Sequence, residues 1–336
     1  MKNIIKTLIV MLSSISLFAS ANAGELSVSG TAKATYNVYS GNSATGKGLG
    51  ITNELNFTAS GELDNGYTWS YSMELDPADA TDNGAANNDD TKLTLTTPYG
   101  TFGVFVSEGA LDVEDGASQS VYARPTDVGD PSSGSGDNFT IDGYNNLQYH
   151  TASGMLPFGT VIKVGYAPDL DDTINSGNAA GQSETKSATT EGRTMTAYQV
   201  TATPIDGLTI GGDYYEVGGD KIATISQEKS GGNVYAKYAM GNFKVGYYKG
   251  KLEPAKTTDK AATASADTAT ALNGDRYESD GFGVEFAVND QLSISYMSED
   301  FTRTDITNDG TGSTYSASSV TSEQTTLMAA YNIGGA

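Results

Sequence analysis

The chain has 336 residues, no cysteine, and 41 acidic against 19 basic side chains, for a formal net charge of −22. This balance excludes a nucleic-acid partner, because phosphate binding takes a basic footprint. The absence of cysteine excludes a disulfide-stapled domain, so stability rests on burial and backbone hydrogen bonding.

The first element in chain order is a leader. MKNIIK is a basic n-region, TLIVMLSSISLFA an apolar h-region too short to span a bilayer as a helix, and ANA before Gly24 a small-residue cleavage site. Cleavage between Ala23 and Gly24 is expected, in preference to a short membrane anchor. The signal peptide is then 1–23 and the mature domain 24–336. Lys2 and Lys6 leave with it, so 17 basic residues stand against 41 acidic ones and the balance becomes −24. No later apolar run approaches the roughly 18 residues of a helical span.

From Gly24 onward the sequence alternates with period two, the signature of half-buried strands. Leu26, Val28, Ala32, Ala34 and Tyr36 share one face, opposite Ser27, Ser29, Thr31 and Lys33. Ile51, Leu55, Phe57, Ala59 and Leu63 oppose Thr52, Glu54, Asn56 and Thr58. Tyr67, Trp69, Tyr71, Met73 and Leu75 oppose Ser70, Ser72 and Glu74. The pattern continues through Leu93/Leu95, Phe102/Val104/Val106, Leu147/Tyr149 and Ile162/Val164/Tyr166. It goes on through Tyr198/Val200, Leu208/Ile210/Tyr214, Val234/Ala236/Tyr238 and Phe243/Val245/Tyr247. Phe282/Val284/Phe286, Leu292/Ile294/Tyr296 and Leu327/Ala329/Tyr331 close the series, about fourteen strands in all. The fold class is all-β.

The connections also alternate. Short turns fall at 64–66, 98–100, 153–159, 204–207, 240–242 and 289–290; long acidic segments fall at 40–49, 76–90, 107–143, 169–193, 218–229, 251–277 and 301–320. Short turns on one side and long loops on the other point to a transmembrane antiparallel up-and-down β-barrel in outer-membrane lipid, apolar-out and polar-in. A soluble sandwich turns its apolar face inward, and alternation alone does not tell the two apart. Overall hydrophilicity, charges on the polar face and aromatics near strand ends favour the barrel. Tyr36, Tyr39, Tyr67, Trp69, Tyr71, Tyr144, Tyr166, Tyr214, Tyr247, Tyr296 and Tyr331 are suited to interfacial girdles.

The mature start GELSVSGTAKATYNVY and the stretch PYGTFGVFVSEGALD resemble the general-diffusion porins of Gram-negative bacteria, particularly the alphaproteobacterial type. That resemblance implies a sixteen-stranded, trimeric barrel whose third external loop folds inward and narrows a water-filled channel for ions and small hydrophilic solutes. Segment 107–143 takes the place of that loop, so Glu108, Asp112, Glu114, Asp115, Arg124 and Asp127 are implied to stand on a constriction. A solvated external surface is the plainer alternative for these residues. Parity puts Lys33, Lys92, Lys163, Lys237 and Lys244, with Glu54, Glu74 and His150, on the polar wall facing it. Two departures stand out. Val106-Ser107 occupies a place where the family often carries Arg, and the chain ends LMAAYNIGGA where family members finish with another hairpin and a terminal aromatic. A missing C-terminal hairpin is therefore expected.

Other candidates carry less. His150 is the single histidine and shares a face with Asn146 and Gln148, which makes it a lining residue in preference to a catalytic one. No nucleophile elbow, P-loop or dinucleotide fingerprint appears, so no enzyme is expected. DLDDTIN (169–175) and NDGTG (308–312) offer clustered oxygens for Ca²⁺ but lack EF-hand spacing, and solvated loop is the simpler reading. Otherwise no cofactor is expected. The acid excess predicts a cation preference. Two alternatives remain: a sugar-type selective channel using the polar-face Tyr215, Tyr235 and Tyr248, or a secreted β-rich adhesin.

Overall fold

The computed structural model of the protein describes residues 25–37, 48–76, 87–106, 113, 144–168, 194–218, 225–254, 256–257, 276–308 and 315–331. In chain order the strands are β1 (Glu25–Asn37), β2 (Gly48–Glu62), β3 (Thr68–Asp76), β4 (Asn87–Thr97), β5 (Gly100–Val106), β6 (Asn145–Thr151), β7 (Val161–Ala167) and β8 (Thr194–Ile205). They continue with β9 (Leu208–Gly218), β10 (Ile225–Gln227), β11 (Ser230–Met240), β12 (Phe243–Glu253), β13 (Lys256–Thr257), β14 (Arg276–Ala287), β15 (Leu292–Asn308) and β16 (Tyr315–Tyr331). Among the described residues the one helical element is a 3-10 turn at Pro157–Gly159.

Fourteen strands form one antiparallel sheet in which neighbours in sequence are neighbours in space; β10 and β13 pair separately as a small ribbon. The fourteen match the expected strands one for one. Among the described residues, β1 and β16 are the edges of this sheet.

The tight turns are set by local chemistry. At 64–66, Gly66 takes φ 80° and the Asn65 side-chain oxygen accepts from the backbone N–H of Tyr67 at 3.0 Å. The Asn289 side-chain oxygen caps the β14–β15 turn, accepting from the N–H groups of Gln291 (2.8 Å) and Leu292 (2.9 Å). Such turns fix register, and in a strand a one-residue slip would exchange the two faces.

Those faces are opposite in exposure as well as chemistry. Leu26 (66%), Val28 (58%), Val234 (60%) and Leu327 (78%) stand exposed on the apolar side, with Ile210, Tyr247, Phe282 and Ile294. The polar side holds the buried residues, including Asn146, Gln148, Gln199, Asp213, Asn233 and Glu299. Burying one large apolar side chain contributes about 1.5–3 kcal/mol. Leaving about ten in water would forfeit more than the roughly 5–15 kcal/mol by which domains are stable. Hydrocarbon resolves the conflict, so the apolar face is the outer one.

Two expectations need correction. Tyr144 is not a girdle residue: it shares parity with Asn146 and Gln148 and is buried on the inner face. The long segments are also shorter than expected at several ends. Residues 301–308 and 315–320 extend β15 and β16, paired out to Asn308 with Tyr315, and β10 and β13 lie within 218–229 and 251–277. Thr302–Thr321 (2.8 Å) and Thr304–Ser319 (2.9 Å) hydroxyl contacts knit this extension, whose polar composition hides it from a search for apolar alternation.

Candidate pore-lining site

The inner wall is built rung by rung from register. His150 pairs with Lys163, Lys163 with Gln199, Gln199 with Asp213, and Asp213 with Asn233, so five polar side chains from β6, β7, β8, β9 and β11 follow one another around the sheet. Side-chain hydrogen bonds tie several of them to neighbours on the wall. Nε2 of His150 lies 2.7 Å from the Gln148 amide oxygen. The Asp213 Oδ1 accepts from both the backbone N–H (3.1 Å) and the side-chain amide (2.9 Å) of Asn233. On the next inner row the Tyr248 hydroxyl donates to Glu299 Oε1 at 3.1 Å. Buried carboxylates persist only when so supplied with donors.

Four of the five nominated wall lysines divide into two pairs. Lys92 on β4 and Lys163 on β7 are close enough to act electrostatically on one another and on His150. The other two are held locally. Lys237 sits with its ammonium 5.1 Å from the centre of the Tyr235 ring, and Lys244 donates to Glu285 at 3.1 Å. Lys33 of β1 is in register with Thr52 of β2. Glu54 and Glu74 hold inner positions of β2 and β3, opposite Thr31 and Asn56. Glu108, Asp112, Glu114, Asp115, Arg124 and Asp127, like Ala23, Gly24 and residues 169–175, lie outside the described residues.

Within segment 107–143 one residue is described, and it is Val113. It is wholly buried against the inner wall. A Cβ added to Gly165 of β7 would lie 2.8 Å from Val113 Cγ2, so the valine rests directly on the glycine. The Gln199 side-chain amide donates to the Val113 carbonyl oxygen at 2.7 Å. Sequence reasoning missed this contact. Its traces in the sequence are a lone Val among acids and the small residues Gly165, Ala167 and Ala197 interrupting a polar parity.

The inner tyrosines lie flat. A Cβ at Gly231 would fall 2.6 Å from the Tyr215 ring, and Gly211 and Gly281 are covered in the same way by Tyr235 and Tyr248. All three rings are buried (0–8% exposed). His150 packs beside the Phe105 ring, centroids 5.6 Å apart, with an amide as its polar partner, a wall residue's environment.

Comparison with known proteins agrees with this architecture. A family model described as Gram-negative porin matches residues 8–336. No curated protein matches. Among solved structures, a porin refined at 1.8 Å resolution aligns with TM-score 0.50 at 15% identity, covering 93% of this chain and 91% of its own. Salmonella typhi OmpF in complex with daunomycin aligns with TM-score 0.56 at 12% identity, covering 87% and 82%. At such identities the structural likeness speaks for the fold; the family match spans nearly the whole sequence. The chain belongs to the Gram-negative porin family, non-enzymatic channel proteins of β-barrel fold in the outer membrane.

Proposed function

We propose that this porin is a passive, water-filled channel for ions and small hydrophilic solutes, narrowed by segment 107–143 and preferring cations. The observation that carries the reading is the burial of Val113 on the inner wall. Asp112 and Glu114 are its neighbours in sequence, and this reading turns their charge toward the pore. Glu108, Asp115, Arg124 and Asp127 belong to the same constriction. Lys33, Lys92 and Lys163 supply the opposite sign, and opposed charges across a narrow aqueous gap orient polar solutes and disfavour apolar ones. The reading includes cleavage of residues 1–23, assembly as a homotrimer, and the alphaproteobacterial type.

The excess of acid sets the sign of selectivity. Reversal potentials across a planar bilayer with a KCl gradient test it: cation preference is expected, and an anion-selective potential overturns it. The size limit is read from liposome swelling with sugars of increasing mass.

A further inference from the structure

The outer, lipid-facing side of the wall is not smooth. Where β9, β11 and β12 run side by side, a cleft of about 400 Å³ is lined by Tyr214, Gly232, Val234, Lys249, Lys251 and Glu278, among others. Register puts these six on the same face as Tyr247 and Phe282. Gly232 pairs with Tyr214 on one side and Lys251 on the other, Val234 pairs with Lys249, and Lys251 pairs with Glu278. Gly232 has no side chain, so a trough is left between the Tyr214 ring and the Lys251 stem. We infer that this cleft seats one acidic phospholipid: its headgroup in the Gly232 trough, its phosphate on Lys249, and a chain running down over Val234 and Ala236. The site lies on the opposite face of the sheet from the channel and does not rest on the constriction reading.

Charge and depth select the occupant. Lys251 is bonded to Glu253, and Arg276 to Glu278 at 3.3 Å. Lys249 is exposed and takes part in no ion pair among the described residues; Asp280 is in register with it without joining it. Lys249 stands two residues beyond Tyr247, roughly 7 Å at the strand rise of about 3.3 Å per residue. Tyr247 is an exposed outer ring suited to the interface, so the ammonium lies at headgroup level while its stem runs along apolar surface. The acids Glu253, Glu278 and Asp280 around it repel an anion that is free in water. A lipid stays, because burial of its chain adds to the single ion contact. One lysine near a lipid surface favours an acidic headgroup by roughly fivefold. The cleft also runs without a break into the wall that already meets hydrocarbon, through Ala236 and its register partners Ile210 and Tyr247.

The chain has no cysteine, so a fluorophore can be placed at one outer position at a time. Ala236→Cys reports on the cleft, and Leu327→Cys, exposed on β16, is the remote control. Folded barrels of heat-modifiable gel mobility are placed in phosphatidylcholine vesicles doped with chain-brominated phosphatidylglycerol or, separately, chain-brominated phosphatidylcholine. At 236 the brominated phosphatidylglycerol is expected to quench as if enriched about fivefold over the phosphatidylcholine; at 327 the two should quench alike. Lys249→Gln should erase the excess, Lys249→Arg should keep it, and glycerol phosphate dissolved in the buffer should not compete. Equal quenching at 236, the same excess at 327, or an excess that survives Lys249→Gln overturns the proposal. Competition by glycerol phosphate would make the cleft a site for a free anion. A probe at 236 that neither brominated lipid reaches would put a second copy of the chain over it. Either result overturns the lipid assignment as well.

Discussion

The ring of Tyr248 lies directly over Gly281, its cross-strand partner on β14, in the volume a Cβ would need. Tyr215 over Gly231 and Tyr235 over Gly211 repeat the arrangement on β9 and β11. Laying rings flat on glycines fills the wall without narrowing the channel, and it shields glycine backbone in the way aromatic cover does elsewhere in sheets.

Gly281→Val therefore forces the Tyr248 ring off the wall and away from Glu299. Overpacking of this kind costs about 1–3 kcal/mol. The expected outcome is a lower urea midpoint for the folded, heat-modifiable form. Gly218→Ala is the control, since a Cβ there would meet nothing nearer than 3.8 Å; it should leave the midpoint unaltered. Equal loss in both variants would contradict the packing argument.

Asp213→Ala leaves the backbone and side-chain amides of Asn233 without the oxygen they share. An unmade buried hydrogen bond costs roughly 1–3 kcal/mol, and Asp213→Asn, which keeps an acceptor, should recover part of that. Urea unfolding in lipid vesicles reads both. A neutral Asp213→Ala would mean that water replaces the carboxylate.

The two groups of lysines should behave differently in ion selectivity. At about 8 Å in water a unit charge shifts an ion's energy by roughly 0.5 kcal/mol, so reversing one moves cation and anion by about 1 kcal/mol in opposite senses and is worth roughly thirtyfold in a permeability ratio. Lys163→Glu, in the cluster with Lys92 and His150, is expected to raise cation over anion permeability by that order, most strongly at low salt. Lys237→Glu, at a position whose ammonium sits over Tyr235, should change it far less. Equal effects of the two would dissolve the distinction between cluster and locally held lysines.

Much of this architecture is legible in the sequence because lipid imposes it. Every spanning strand must alternate, so Leu26/Val28 and Phe282/Val284 announce their face without help from the fold. The extensions of β15 and β16 are invisible for the same reason, since Thr302, Thr304 and Ser319 need no apolar side. Tyr144 shows the limit of reading ring chemistry alone: its parity with Asn146, not its phenol, decides which way it turns. The division among the lysines is tertiary. Nothing in the spacing of Lys237 or Lys244 reveals Tyr235 beneath one and Glu285 beside the other. The seat of Val113 joins residues 86 positions apart at Gln199, which no local pattern encodes.

The inverted arrangement of faces is tested most directly by fluorescence. Single cysteines at Val234, exposed on the apolar side, and at its neighbour Asn233, buried on the polar side, carry an environment-sensitive probe in the folded barrel. Quenchers fixed at defined depths in the lipid chains should extinguish the probe at 234 and spare the one at 233, whereas aqueous iodide should leave the probe at 234 unquenched. A probe at 234 untouched by every lipid-borne quencher would place that side chain in a protein interior and contradict the account.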